Sequence, residues 1–310
     1  MDLGPCSAPF VGSSQELNCA ALSCGGIEKS RARSHATVGI AGSSAHHGAM
    51  SFDLRGRYAL ITGASSGIGL EIARGLGARG AHLILAARRR DKLDAIAASI
   101  GRSHSVNIQV VDVDLAHPEG PKTLIEMIDE EECPIDILVN NAGVGLFGDG
   151  LESDAAREEA MLRLNVLALA HLTKHYGRSM RLRGQGSILQ VASTAAFQPC
   201  PGYAAYGATK AFVLLHAEAL AEELRDSGVT ITALCPGSTN TEFFEISGHK
   251  RNQLQEATSM EPAEVAEMAI EAMLKGRRVK VPGLTNALGA FGVRFLPRKW
   301  QAALTRRVLS

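Results

Sequence analysis

The stretch "YALITGASSGIG", residues 58–69, sets a short apolar run directly before a glycine-rich turn. The glycines are Gly63, Gly67 and Gly69, and the residues that follow have helical spacing. Backbone N–H groups in such a turn, together with the N-terminus of the next helix, can cradle a phosphate because no Cβ atoms stand in the way. A glycine-rich turn can also be a plain strand-to-helix connection. In this strand, turn and helix context we favour the binding of a cofactor.

Short apolar runs alternate with helix-length segments along the rest of the chain. The apolar runs are residues 58–62, 82–87, 108–113, 135–140, 187–193, 230–235 and 278–281. Segments with helical spacing lie between them, such as 68–79, 121–131, 154–175 and 203–226. Apolar strands separated by helices are typical of a parallel sheet covered on both faces. The pattern therefore predicts a doubly wound α/β domain whose ligand lies beyond the carboxyl ends of the strands.

Three features near these strands have two readings each. "NNAGVG", residues 140–145, follows the fourth run and is either a bound ligand's close neighbour or a glycine turn with an Asn cap. Asn165 lies in an apolar helix, where a buried amide without partners costs about 1–3 kcal/mol, so it bonds either a backbone carbonyl or something functional. Ser193 ends the fifth run, where a serine is commonly a turn or cap residue.

A tyrosine and a lysine lie one helical turn apart in "PGYAAYGATKAFVLL", residues 201–215. Residues four apart share a helix face, so Tyr206 and Lys210 can meet, whereas Tyr203 lies a further turn away. Such a pair also occurs by chance in solvated helices. The pair by itself favours the structural interpretation.

Together these pieces resemble the short-chain dehydrogenase/reductase family, from about residue 51 to 285. The motifs that carry the resemblance are TGASSGIG at 62–69, NNAG at 140–143, Asn165, Ser193, Tyr206 and Lys210 as YxxxK, and Pro236-Gly237. The resemblance implies a single Rossmann-like, predominantly parallel domain of seven strands with helices on both faces. It also implies a nicotinamide dinucleotide cofactor.

The resemblance assigns roles residue by residue. The implied catalytic residues are Asn165, Ser193, Tyr206 and Lys210. The implied cofactor-binding residues are Gly63, Ser65, Ser66, Gly67, Ile68, Gly69, Arg88, Asp114, Leu115, Asn141, Ala142, Gly143, Tyr206, Lys210, Pro236, Gly237, Thr239 and Thr241. Among these, Asp114 and Leu115 are expected to flank the adenine.

The implied chemistry suits the residue types. A tyrosine has an ordinary pKa of about 10, and a nearby ammonium favours the phenolate, so we expect Lys210 to lower the pKa of Tyr206 toward neutrality. In the reductive direction a carbonyl carbon receives hydride while Tyr206 protonates its oxygen. Ser193 is expected to hydrogen-bond that oxygen, and Asn165 to support a water leading to Lys210.

The second strand ends in "AARRRDKL", which bears on the choice of cofactor. Arg88 stands about 20 residues past the glycine turn, where an NAD site places an acid for the ribose 2′-hydroxyl. An arginine there suits a 2′-phosphate, so NADP(H) is expected. The glycine turn departs from many NADP-using relatives, which place a base where Ser66 stands. Arg89 either helps or is simply solvated.

The leading functional prediction is an NADP(H)-dependent carbonyl reductase or alcohol dehydrogenase with a fairly apolar substrate. Phe243, Phe244 and Ile246 either line an apolar substrate pocket or pack a helix on its own core. The alternative is a catalytically silent NADPH-binding regulator. An intact set of Asn, Ser, Tyr and Lys argues against a sensor, which needs no proton relay.

Composition excludes several other classes. Lys plus Arg and Asp plus Glu number 32 each, so overall charge gives no indication of nucleic acid. The six cysteines are spread without the spacing of a disulfide framework or zinc site, and no metal site is expected. A reducing, cytoplasmic location is the expectation, and the resemblance implies a homodimer or homotetramer formed through residues 154–176 and 203–225.

The two ends of the chain differ from the middle. Residues 1–50 are rich in Ser and Gly and are expected to be a disordered extension, although Met50 also allows a mis-assigned start. Residues 286–310 form a basic amphipathic tail in which Phe291, Phe295 and Trp300 accompany arginines and a lysine. Two readings stay open: the tail packs on its own domain or a neighbouring subunit, or it lies on an anionic membrane surface.

Overall fold

A seven-stranded sheet with every neighbouring pair parallel forms the centre of the molecule. The computed structural model describes residues 53–131 and 133–309, so the expectation for residues 1–50 lies outside the described residues. The strands are β1 (Tyr58–Thr62), β2 (His82–Ala87), β3 (Ile108–Asp112), β4 (Ile135–Asn140), β5 (Gly186–Val191), β6 (Val229–Leu234) and β7 (Val279–Lys280). Their order is β3-β2-β1-β4-β5-β6-β7. The predicted doubly wound, Rossmann-like fold is confirmed.

Helices connect the strands and continue beyond the last one. They are α1 (Gly67–Ala78), α2 (Arg90–Ser103), α3 (Gly120–Asp129), α4 (Ala155–Leu162), α5 (Leu169–Arg183), α6 (Ala204–Glu223), α7 (Phe243–Ser247), α8 (Gln253–Ala257), α9 (Pro262–Leu274), α10 (Leu284–Gly292) and α11 (Arg298–Leu309). A π-helical turn, Arg163–Ala168, joins α4 to α5. Within the described ranges, none of these helices combines the length and the apolar character needed to span a bilayer.

Alternate residues of each strand bury opposite faces of the sheet. Leu60 and the residues of the other strands that share its face, such as Ile84 and Leu138, pack with α3, α5 and α6 in one core. Ile61 and its equivalents pack with α1, α2 and α9 in the other. Both faces are covered, which explains why the strands are apolar without alternation.

The direction of winding reverses between β1 and β4. From β1 the chain moves outward to β2 and β3, then crosses to β4 on the other side of β1. The glycine turn follows β1 and the NNAG segment follows β4, so both lie at the topological switch point. Ligands of doubly wound sheets bind in this crevice.

Candidate active site

Hydrogen bonds join the glycine turn to the NNAG segment. Thr62 Oγ1 accepts from the backbone N–H groups of Asn141 and Ala142, each at 3.1 Å, and donates to Val139 O at 3.2 Å. The Asn141 side-chain nitrogen donates to Thr62 O at 3.0 Å and to Gly63 O at 3.1 Å. The two loops at the switch point are thereby held as one unit.

Two glycines of the turn are required by conformation and space. Gly63 and Gly67 have φ of +67° and +57°, in the left-handed region that side chains rarely adopt. A Cβ on Gly63 would lie 2.8 Å from the side-chain nitrogen of Asn141, and one on Gly67 would lie 2.9 Å from Thr241 Cγ2. The turn therefore offers bare backbone at the start of α1, the arrangement that a diphosphate needs.

A cavity of about 800 Å³ opens at the carboxyl ends of the strands. The predicted site residues along its wall are Gly63, Ser65, Ser66, Gly67, Ile68, Arg88, Asp114, Leu115, Asn141, Ala142, Gly143, Ser193, Tyr206, Lys210, Pro236, Gly237, Thr239 and Thr241. Gly69 and Asn165 are not among the residues that line the cavity. Gly69 is where α1 packs against Asn141, and a Cβ there would collide with the Asn141 side chain.

Tyr206 and Lys210 meet at this cavity as their spacing predicts. Both are buried on α6, and Lys210 Nζ lies 5.7 Å from the centre of the Tyr206 ring. Lys210 Nζ also donates to Val191 O at 2.8 Å. Ser193, at the end of β5, hydrogen-bonds Tyr206, and its Oγ accepts from the Ala195 backbone at 3.1 Å. The three side chains thus converge where β5 ends.

Burial controls the protonation of this pair. It raises the pKa of Tyr206 above its ordinary value, and the hydrogen bond with Ser193 opposes that rise. The same burial lowers the pKa of Lys210 to about 8. The expectation that the pKa of Tyr206 falls is therefore not met here. Removing water destabilises the phenolate more than the hydrogen bond with Ser193 stabilises it.

Asn165 connects the NNAG loop to α6. It lies in the π-helical turn, and its side-chain nitrogen donates to Val144 O at 2.9 Å and to Thr209 Oγ1 at 3.1 Å. Its oxygen accepts from Val144 N at 3.0 Å. The Asn165 side chain therefore bonds the backbone of the NNAG loop, which is one of the two possibilities that the sequence left open. A Cβ on Gly143 would lie 3.2 Å from Asn165 Oδ1 and 3.3 Å from Lys210 Nζ, so both side chains border that glycine.

Arg89 is the arginine bonded to the glycine turn. Arg88 is exposed at the cavity wall. The Arg89 guanidinium donates to Ser65 Oγ and Ser66 Oγ, both at 2.9 Å, and to Glu242 Oε2 at 2.7 Å. From the sequence, Arg88 was the main candidate for phosphate binding, and Arg89 was expected either to help or to be solvated. Its location beside the turn makes it at least an equal candidate for phosphate binding.

Glu242 was missed by the sequence reasoning. Its second oxygen accepts from Lys92 Nζ at 2.9 Å, so one carboxylate bridges Arg89 and Lys92. Lys92 stands in the quoted "AARRRDKL", but an acid 150 positions away gives no local signal of this contact.

Tyr203 has a packing environment of its own. Its hydroxyl hydrogen-bonds Ser247 Oγ at 3.0 Å, and its ring stacks on His249 with centres 5.5 Å apart. Phe243 lies against both tyrosines, 5.2 Å from the Tyr206 ring centre. Phe243, Phe244 and Ile246 all line the cavity, so α7 both packs on the aromatic cluster and forms part of the pocket.

The C-terminal segment also reaches the cavity. Residues predicted as a tail belong to the same compact unit as the sheet. Their contributions to the wall are Asn286, Gly289, Ala290, Val293, Leu304, Thr305 and Val308. This side of the pocket was not foreseen, because neither α10 nor α11 carries a motif.

Comparison with known proteins finds similarity to dehydrogenases, both in a family model and among individual relatives. A family model described as short chain dehydrogenase matches residues 57–252. The chain is 36% identical over 229 residues to a galactitol 2-dehydrogenase (L-tagatose-forming) of Cereibacter sphaeroides, covering 71% of this chain and 88% of that protein.

Solved structures show the same architecture. A short-chain dehydrogenase from Sphingobium yanoikuyae in complex with NADPH has a TM-score of 0.71 and 34% identity, covering 77% of this chain and 92% of that chain. A 7beta-hydroxysteroid dehydrogenase structure has a TM-score of 0.73 and 25% identity, covering 83% and 98%.

Proposed function

We propose that this chain, which belongs to the short-chain dehydrogenase family, is an NADP(H)-dependent enzyme that interconverts a carbonyl and an alcohol on a fairly apolar substrate. Membership of this oxidoreductase family agrees with the resemblance inferred from the motifs. The observation that carries the proposal is the convergence of Tyr206, Ser193 and Lys210 on the cavity that also contains the glycine turn.

The residues present fit a dinucleotide. Gly63 and Gly67 leave bare backbone where a Cβ would collide with neighbouring side chains, and Gly143 brings the NNAG loop close to Lys210. When bound, the nicotinamide supplies or accepts the hydride. We assign the diphosphate to the glycine turn and the start of α1, with Thr239 and Thr241 also lining the cavity and Thr241 packed beside Gly67.

The chain's own side chains handle the proton. The Tyr206 hydroxyl is assigned as the donor to the carbonyl oxygen during reduction, and its raised pKa keeps it protonated at neutral pH. The Ser193 hydroxyl hydrogen-bonds the same oxygen and orients it. Lys210 holds a proton behind Tyr206 and, with a pKa near 8, can exchange it at physiological pH. Asn165 positions the loop at Val144 and the start of α6.

An NADP(H) preference is supported by the positive charge near the turn. Arg88 borders the cavity, and Arg89 bonds both serines of the turn. The guanidinium of an arginine forms charge-assisted hydrogen bonds with a phosphate monoester. The Sphingobium yanoikuyae protein, bound to NADPH, is consistent with this choice.

The substrate is proposed to be apolar and bulky. Phe243, Phe244 and Ile246 of α7 face the cavity opposite Val293 and Leu304 of the C-terminal segment. The relatives are named for a steroid in one case and a polyol in the other, so the family alone does not choose between them. The apolar walls favour the steroid-like class over a polyol.

A catalytically silent NADPH-binding regulator is the second candidate. Its cofactor cavity would be the same, but it would gain nothing from Ser193 hydrogen-bonded to Tyr206 beside a buried lysine. No feature of the described residues favours it over the enzyme.

Absorbance decay of NADPH with a panel of ketones, aldehydes and acyl thioesters tests the proposal. We expect turnover with apolar ketones in particular. Tyr206→Phe should abolish it while changing NADPH affinity only a few-fold, since it removes a proton rather than a contact surface. Tyr203→Phe is the matched control and should be mild. A near-normal kcat in Tyr206→Phe would refute the assigned mechanism. Absence of turnover by the wild-type protein with every substrate of the panel would favour the silent regulator.

We further propose a cytoplasmic homodimer or homotetramer that assembles through α4, α5 and α6. These helices expose Leu162, Leu182, Phe212 and Leu215, and the π-helical turn between α4 and α5 exposes Leu167. Exposed apolar surface of this kind marks an interface where it forms one patch. Cys133, Cys200 and Cys235 are free thiols, in keeping with a reducing compartment. Light scattering in solution tests the assembly, and a mass of one chain would refute it.

Peripheral contact with an anionic membrane is proposed for α10. Its exposed residues Leu284, Leu288 and Phe291 recur at helical spacing and continue to Phe295, which is 74% exposed. The flanking sequence is basic, with Lys280 before α10 and Arg294 after it, and residues 272–310 contain no acid. An apolar stripe with basic neighbours fits the interface of an anionic bilayer.

A further inference from the structure

Glu242 occupies a position that is built for an anion. It precedes α7, and its two carboxylate oxygens accept from two different cations, Arg89 at 2.7 Å and Lys92 at 2.9 Å. Arg89 in turn donates to the hydroxyl oxygens of Ser65 and Ser66 in the glycine turn. The two hydrogen bonds to Lys92 and Arg89 lower the pKa of Glu242 to about 2, so it is ionised at any physiological pH.

The same groups would suit a phosphate monoester. A guanidinium, an ammonium and nearby serine hydroxyls are the groups that bind phosphate in proteins. Arg89, Ser65, Ser66 and Glu242 all border the cavity assigned to the cofactor. A phosphate bound to Arg89 would lie beside the Glu242 carboxylate, and repulsion between the two anions would weaken the binding of each.

Glu242 is also connected to the catalytic residues. Its neighbour Thr241 packs so closely on Gly67 that a Cβ there would lie 2.9 Å from Thr241 Cγ2. Its other neighbour, Phe243, lies 5.2 Å from the ring centre of Tyr206. A change in the position of Glu242 is therefore transmitted to both the glycine turn and the wall beside the proton donor.

We propose that Glu242 is an internal competitor of the 2′-phosphate of NADP(H). Without that phosphate it ties the segment before α7 to α2 through Arg89 and Lys92. Binding of the phosphate takes over Arg89, which lines the cavity, and so weakens the hold on Glu242, which frees Phe243 to adjust around the substrate. This inference rests on the proposed NADP(H) preference and adds a residue that sets its strength.

The test compares two ligands that differ by one phosphate, adenosine 2′,5′-bisphosphate and adenosine 5′-monophosphate, by calorimetry. Glu242→Gln keeps the shape and removes the charge. Half-exposed ion pairs contribute modestly, so we expect about three- to tenfold tighter binding of the bisphosphate and no change for the monophosphate. Glu245→Gln is the matched control, an exposed acid three residues further on within α7, and should change neither.

Hydrogen exchange gives a second readout. In the wild type, the bisphosphate should increase amide exchange across residues 242–248 relative to the monophosphate. Glu242→Gln should show the higher exchange without any ligand. Thermal unfolding of each variant checks that the fold is intact.

Three results would overturn the inference. If Glu242→Gln binds the bisphosphate no more tightly than wild type, Glu242 does not compete. If Glu245→Gln tightens binding equally, general electrostatics accounts for the effect. If wild type itself shows no preference for the bisphosphate, the NADP(H) preference fails and the competition fails with it. Only in this last case is the proposed cofactor choice also refuted.

Discussion

Lys210 is a cationic side chain in the protein interior, only 5% exposed. Its ammonium donates to Val191 O and lies beside Tyr206, yet burial still lowers its pKa to about 8. Such a group lowers stability whenever it is charged in the folded state. Its retention in the core is consistent with the catalytic role proposed for it.

The pH dependence of folding should reveal Lys210. Its pKa is about 8 when folded and 10.5 when unfolded. Between these values the unfolded chain binds more protons, so the free energy of unfolding gains up to about 3 kcal/mol from Lys210 as pH rises. Cys235 and Cys200 act in the opposite sense above pH 9, because burial raises their pKa to about 12 and about 11.

The difference between wild type and Lys210→Met isolates this contribution. In urea unfolding of the cofactor-free protein, we expect wild type to gain stability relative to the variant between pH 7.5 and 10.5. Below about pH 7, roughly one unit under the folded pKa, the gap should be constant because the penalty is fully present. Parallel curves across the whole range would show that Lys210 titrates normally.

Arg88 and Arg89 are both candidates for binding the 2′-phosphate, and single alanine variants distinguish between them. A hydrogen bond to an ionised group contributes roughly 1.5–3 kcal/mol, so losing the phosphate-binding arginine should lower the preference for NADPH over NADH by about one to two powers of ten. We expect Arg89→Ala to show this loss and Arg88→Ala a smaller one, as measured by kcat/KM for each nucleotide. The reverse order would return the role to Arg88 and leave Arg89 to position the serine hydroxyls.

Helix α10 has two faces with different surroundings. Asn286, Ala290 and the following Val293 face the cavity, while Leu284 and Leu288 face outward and are 76% and 63% exposed. The inner face of α10 therefore packs on its own domain, and the outer face is available for contact with a membrane or a second subunit. Deleting the segment would open the cavity, so point variants on the outer face are the cleaner probe of the surface.

Vesicle binding tests the outer face. Leu288→Ser with Phe291→Ser should reduce binding to phosphatidylserine-containing vesicles at least about fivefold, because both side chains are exposed and insert only in the bound state. Leu151→Ser is the matched control, because Leu151 is 95% exposed and precedes α4, outside the surface proposed for assembly; this variant should bind normally. Equal binding by all three proteins would remove the membrane proposal. A smaller mass by light scattering in the double variant would indicate a second copy instead.

At the scale of the whole molecule, the winding of the sheet assembles the site. The chain crosses from β3 to β4 on the far side of β1, which brings two small-residue loops together at the switch point. The segment after β5 and helix α6 then supply Ser193, Tyr206 and Lys210, and the segment after β6 adds further lining residues beside the glycine turn. The exposed apolar residues of α4, α5 and α6 do not line this cavity, whereas the buried Tyr206 and Lys210 of α6 do. Assembly through that surface would leave the cavity mouth free.

The sequence by itself determined the parallel sheet, the glycine turn and the Tyr206–Lys210 pair. These features follow from local rules: the run of apolar residues in a strand, the bare backbone of glycine, and the four-residue spacing of one helical turn. Only the tertiary structure decided the direction of the Tyr206 pKa shift, the bonding of Asn165 to Val144, and the cover supplied by α10. It also brought Glu242 to Arg89 across 153 positions of sequence. Burial and such contacts depend on which distant segments pack together, and no spacing within one element records that.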